Sequence, residues 1–171
     1  MEKKPTKTTI ALHWIISTSI IVMITVGYIM KEFKIYKIYP IHKSVGTILA
    51  ALILFRIAYR FKKGFLKTEK KAKKHEILLK KINQICLLIA SALMPITGIM
   101  MSVASGRGLY VFDYQIIKKG AYKAAELGKT ANNLHTIISY IFIGLILLHV
   151  IGALKHHFIY KDNTLKRMIK N

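Results

Sequence analysis

The apolar stretch from Asn132 to Lys155 contains no acidic or basic side chain before its final lysine, apart from His135 and His149. As an α-helix a run of this length rises roughly 35 Å, enough to cross a hydrocarbon slab about 30 Å thick. Such a run excludes an ordinary surface helix and calls for lipid. The two histidines are fourteen residues apart, close to four full turns and roughly 21 Å of rise, so both imidazoles share one helix face at two depths. Histidine is costly in a membrane, and an ionisable residue held there is read first as functional. The partners of these two side chains are therefore the central question.

Three further runs have the same character. Spans are predicted at about 8–30, 41–61, 82–104 and 132–155, which gives an all-α integral membrane four-helix bundle forming one domain over 1–171. The first run has no small-residue cleavage site after a short apolar region, so it is read as a retained helix and not a signal peptide. Lys and Arg number 28 against 7 acids, a net charge of +21. Nucleic acid is excluded as the reason for that charge, because a basic binding domain does not carry several uncharged runs of about twenty residues. The basic residues act as topology signals instead: 19 of the 28 fall in the amino terminus, the region 56–81 and the tail from Lys155. Both termini are thus expected in the cytoplasm. Cys86 is the sole cysteine, which rules out an internal disulfide and a cysteine metal site; it reads as a packing residue.

The segments between the spans are predicted as follows. Residues 31–40, KEFKIYKIYP, suit the headgroup level, with Pro40 in the opening turn of the second helix. Arg56 and Arg60 close that helix and are expected to snorkel toward the inner face. A basic loop over 62–81 leads amphipathically into the third helix, where Pro95 and Gly98 mark a kink. The connector 105–131 is expected to hold a short interfacial helix around KKGAYKAAELGK. In the tail, Asp162 or Asn163 is placed to cap a last short basic helix.

Depth sorts the histidines into pairs. His13 lies about five residues into a helix entering from the cytoplasmic side, level with His149 near the cytoplasmic end of the fourth. His42 opens the second helix at the outer face, level with His135. Two imidazoles facing each other at each of two depths is the arrangement for bis-histidine b-type haem in a bundle core. Zinc would need three or four ligands at one depth, and the bland alternative is scattered interhelical hydrogen bonding. His42, Gly46, Leu49, Ile53 and Arg56 share one face of the second helix, where Gly46 leaves room for a flat ring and Arg56 is placed to pair with an inner haem propionate. Gly27 stands fourteen residues after His13 on the same face. His156 shares the face of His149 and suits proton exchange with a quinone; His157 reads as solvated and His75 as inert.

At these residues the chain resembles the bacterial cytochrome b561 family of small four-helix di-haem membrane proteins. The resemblance rests on HW at His13-Trp14, HKSVG from His42 to Gly46, PITGIMM from Pro95 to Met101, and the run from His149 through KHH to KDNTLKRM. It extends over essentially the whole chain and is strongest to the superoxide oxidase branch. It implies that His13 and His149 ligate the iron of one haem and His42 and His135 that of the other, and that His156 and Lys71 lie at a ubiquinone site. It also implies a multi-pass protein of the bacterial inner membrane that takes electrons from superoxide outside. An outer mouth bearing some of Lys37, Lys43, Arg107, Lys118, Lys119, Lys123 and Lys129 would attract that anion, with Lys43 and Arg107 first, beside predicted helix ends; the alternative for such lysines is contact with lipid headgroups.

Two other functions stay open at this point. A cytochrome b membrane-anchor subunit would relay electrons between quinone and a partner dehydrogenase or hydrogenase and is separated by co-purification of a redox partner. A haem-free transporter is separated by the lack of Soret absorption.

Overall fold

The computed structural model describes residues 5–63 and 73–169. Four long helices dominate: α1 (Lys7–Glu32), α2 (Tyr39–Lys63), α3 (Lys74–Ala104) and α4 (Ala125–Phe158). At 26, 25, 31 and 34 residues, each exceeds the roughly 30 Å needed to span a bilayer. Between α3 and α4 lies an antiparallel hairpin, β1 (Leu109–Val111) and β2 (Tyr114–Ile117), with a bulge between Leu109 and Tyr110. Successive spans alternate in direction. Both termini therefore lie at one end of the bundle, the termini end, and the hairpin lies at the other.

Local chemistry sets the helix boundaries. The Thr6 hydroxyl accepts the Thr9 amide at the start of α1. The Glu76 carboxylate accepts the Lys73 amide at the start of α3. Both α3 and α4 begin well before the apolar spans, because KHEILLKK and AELGKTA are made largely of good helix formers and stay helical in water or headgroups. Hydropathy marks where lipid begins, not where the helix does. The interfacial helix expected around 118–129 is instead a turn followed by the first residues of α4. Pro95 lies inside α3, and Pro40 occupies the first turn of α2. In the tail, a 3-10 turn at Lys166–Met168 stands where a short basic helix was expected.

The hairpin was not foreseen. Its strands are short, and tertiary hydrogen bonds hold them. The Ser44 hydroxyl donates to the Pro40 carbonyl and accepts the Phe112 amide, at 2.9 and 2.8 Å. Ser102, fully buried, donates to the Gly108 carbonyl at 2.7 Å. Gly108 has φ +68, and a Cβ there would stand 2.6 Å from the Ile117 carbonyl oxygen, so only glycine serves.

Packing divides the bundle into two halves. Ile16, Leu49 and Ile53 form a buried cluster between α1 and α2, flanked by Leu12, Ile20, Met23, Leu52 and Ile57. The most extensive helix contact is α3 with α4, where small buried residues such as Ala90, Ser91, Ala104 and Ala131 let the backbones approach. α2 joins the halves through α3, whereas α1 and α4 make no comparable backbone approach. A gap therefore runs between α1 and α4, and histidines project into it.

Candidate functional site

His13 on α1 and His149 on α4 face each other across that gap at the termini end. Their ring centres are 6.3 Å apart, with planes inclined by 66°. Two imidazoles bound end-on to a shared metal, at about 2 Å per metal–nitrogen bond, have ring centres about 6 Å apart. The spacing fits that use. Arg56 does not snorkel outward: its guanidinium lies 3.0 Å from His13 Nδ1 and 3.4 Å from the Leu12 carbonyl. Since arginine only donates, His13 accepts at Nδ1 here and carries its proton on Nε2. Ligation through Nε2 requires that proton on Nδ1 and Arg56 turned aside, a change confined to one side chain.

At the hairpin end His42 and His135 share a level, close enough to bear on each other electrostatically. Each is backed by a glycine on a neighbouring helix. A Cβ on Gly27 would stand 3.3 Å from His42 Cε1, and a Cβ on Gly98 would stand 3.3 Å from His135 Cε1. Gly27 thus makes room for an imidazole at the outer level, and Gly98 belongs to the site as well as to the helix backbone. His135 Nδ1 lies 3.0 Å from both the Met94 carbonyl and Thr97 Oγ1. The Thr97 hydroxyl donates to the Leu93 carbonyl at 2.8 Å, so it accepts from the ring. The proton is fixed on Nδ1 and the Nε2 lone pair is left free, the tautomer a metal ligand needs. His42 Nδ1 is buried without a partner among the described residues. Gly46 lies beside Met23, whose Cε would be 3.4 Å from a Cβ there.

The tail folds back under the termini end. His156 is buried, its Nδ1 2.5 Å from Asp162 Oδ2 and its ring 5.4 Å from that of Tyr160. Asp162 also accepts the Thr164 amide at 2.8 Å. Burial acts to raise its pKa, but the hydrogen bonds from His156 and Thr164 outweigh that and hold the carboxyl below its usual range. Beside the dyad, Glu76 accepts from Lys155 and Tyr160 at 2.7 Å each. That bond to Glu76 is the main cause raising the Tyr160 phenol above its ordinary value. Trp14 Nε1 donates to the Met168 carbonyl at 2.5 Å, tying the tail to α1. His157 is half-buried against the Phe158 ring at 4.8 Å instead of solvated, and His75 is exposed. Lys71 lies outside the described residues.

The outer cations separate. Arg107 lies over the Tyr39 ring, 5.4 Å from its centre, and opens with Lys123, Lys129 and Asn132 onto a cleft of about 430 Å³. Lys43 turns elsewhere, donating to Ser102 at 3.3 Å near the Tyr110 ring. Sequence reasoning missed two site residues. Asp162 was read as a helix cap; its signal was the turn at Lys161, φ 49, which brings a carboxylate six residues after His156 back to it. Thr97, two residues after Pro95, carried no signal of its own.

A family model described as prokaryotic cytochrome b561 matches residues 6–171. Cytochrome b561 homolog 2 of Escherichia coli (strain K12) is 28% identical over 167 residues, covering 93% of this chain and 87% of that protein. A probable superoxide oxidase, CybB, of Yersinia pestis is 25% identical over 176 residues, covering 99% of this chain and 97% of that protein.

Proposed function

The chain belongs to the prokaryotic cytochrome b561 family, and on that premise we propose that it carries electrons through two b haems across the bacterial inner membrane. Membership itself makes it a multi-pass membrane electron-transfer protein of b-haem type. In the finer reading His13 and His149 hold one haem near the cytoplasmic face, and His42 and His135 hold the other near the outer face. The observation that carries this reading is the 6.3 Å approach of His13 and His149 across a gap their helix backbones do not close.

Bound haem would supply a one-electron carrier at each level, roughly 21 Å apart or less along the bundle axis. The chain's own residues do the rest. Met94 and Thr97 hold His135 as a Nε2 donor, and Gly27 and Gly98 admit the two outer rings. Gly46 leaves space for the flat macrocycle. Arg56, released from His13, pairs with a propionate at the same level.

Superoxide is the proposed electron donor at the outer face. The Arg107, Lys123 and Lys129 cleft gathers a small anion, and Lys43 adds charge nearby. The likeness to a probable superoxide oxidase supports this choice. Ubiquinone is the proposed acceptor at the inner face, beside His156. With its Nδ1 proton held by Asp162, His156 leaves Nε2 free to take up a proton from the aqueous side and pass it to the quinone; Lys71 joins it by resemblance. Two superoxide ions each give up one electron and leave as O2, and the two electrons with two protons convert the quinone to quinol.

A superoxide pulse on the purified, detergent-solubilised protein tests this assignment. Rapid reduction of the haem absorption, reversed by added ubiquinone, is the expected result. Haem that superoxide leaves oxidised would remove superoxide as donor, and co-purification of a partner with its own redox centre would favour the anchor-subunit role.

A further inference from the structure

We propose that the two histidine pairs sit in opposite electrostatic surroundings, which make the termini-end pair the stronger electron acceptor and so set the direction of transfer from the hairpin end inward. This rests on reading both pairs as haem ligands.

At the termini end the surroundings are cationic. The Arg56 guanidinium is 3.0 Å from His13, Arg60 follows one turn later, and both bear electrostatically on His13 and His149; turned aside to a propionate at this level, Arg56 still cancels that carboxylate's negative charge beside the iron. Lys80 on α3 adds to the field at His149. Among the described residues the acids of this end are engaged locally, Glu76 by Lys155 and Tyr160 and Asp162 by His156. A ferric porphyrin loses one unit of positive charge when reduced, so fixed cations nearby favour the reduced form, and more strongly in a medium of low dielectric. Arginines kept half-buried in an apolar span are costly; an arriving electron is a charge they can stabilise.

At the hairpin end the hydrogen-bond partners of His135 Nδ1 are oxygens. His135 gives its Nδ1 proton to the Met94 carbonyl and to Thr97 Oγ1, both at 3.0 Å. Acceptors on that proton make Nε2 a more basic ligand, which favours the oxidised form. His135 is near enough to His42 to bear on it by charge. Of the cations at this end, Lys43 is turned onto Ser102 and Arg107 onto the Tyr39 ring, and Lys123 and Lys129 line the outer cleft with Arg107.

Optical redox titration of the holoprotein tests the proposal, with His149→Ala and His42→Ala used to assign the two components. The termini-end component should have the higher potential. Arg56→Gln should lower that component by at least tenfold in its equilibrium constant for reduction, 59 mV for one electron, while Arg56→Lys retains most of it. Thr97→Val should raise the hairpin-end component alone, with Thr97→Ser restoring it; this pair is an independent arm. The proposal is overturned if both haems are bound and the hairpin-end component is the higher, or if neither substitution moves its component. A protein that binds no haem would instead overturn the functional reading beneath it.

Discussion

Gly98→Ala asks whether the space behind His135 is built for a ligand. The added Cβ would stand 3.3 Å from Cε1 and 3.5 Å from Nδ1 of His135, inside the ~3.5–4.0 Å separation at which carbon contacts are most favourable. The ring must withdraw by a few tenths of an ångström, yet it is tethered at Nδ1 to Met94 and Thr97, on the helix that carries the new methyl group. Overpacking of this kind costs about 1–3 kcal/mol. Alanine in a helix regains about 1 kcal/mol over glycine, so the fold should lose roughly 0–2 kcal/mol. Misplacing a metal ligand costs about 10–100-fold in affinity, so haem retention should suffer more than the fold. The assay is haem per chain after challenge with a haem-scavenging apoprotein, alongside thermal unfolding by circular dichroism. The variant should melt near the parent temperature and lose one haem preferentially. Parental retention of both haems in Gly98→Ala and also in Gly98→Leu would refute this account of the glycine.

Three further outcomes are expected. Because hydrogen bonds depress the Asp162 pKa, its anchoring of the tail is fully present above the ordinary carboxyl value of 3.8 and is lost as the pH falls through the lower folded value. Trp14, the sole tryptophan, bonds to Met168 in that tail, so its emission should shift in that acid range, and Asp162→Asn should show the shift already at neutral pH; an unchanged acid titration in the variant would contradict the role. His156→Ala should keep both haems but slow their re-oxidation by ubiquinone about 10²-fold or more, the scale of a lost general acid, and stopped-flow spectroscopy at parental rates would remove it from the quinone site. Arg107→Gln should slow reduction by superoxide most at low ionic strength and little at about 1 M salt, where the Debye length is about 3 Å; an effect independent of salt would point away from steering.

The bundle was legible because lipid leaves little choice: a long charge-free run must be helical to satisfy its backbone, and depth along the helix then follows from counting residues. That counting set His13 level with His149, and the structure has the two rings facing across the gap. Helix ends were less legible, since Lys74–Lys81 and Ala125–Ala131 are polar yet helical. The hairpin was hidden because its stability comes from Ser44 and Ser102, distant in sequence. Arg56 was placed on the correct face, but periodicity could not say that its head would turn inward to His13 and away from the interface. The same limit applies to Asp162 and Thr97, whose importance lies in which atom they meet.

The central claim is that four imidazoles work as two pairs, each gripping one haem. Pyridine haemochrome quantification per chain, on the parent protein and on His149→Ala and His42→Ala, tests it most directly. The expected stoichiometries are two, one and one, with different components of the reduced-minus-oxidised spectrum surviving in the two variants. A parent protein without haem, or single variants that both keep two, would contradict it.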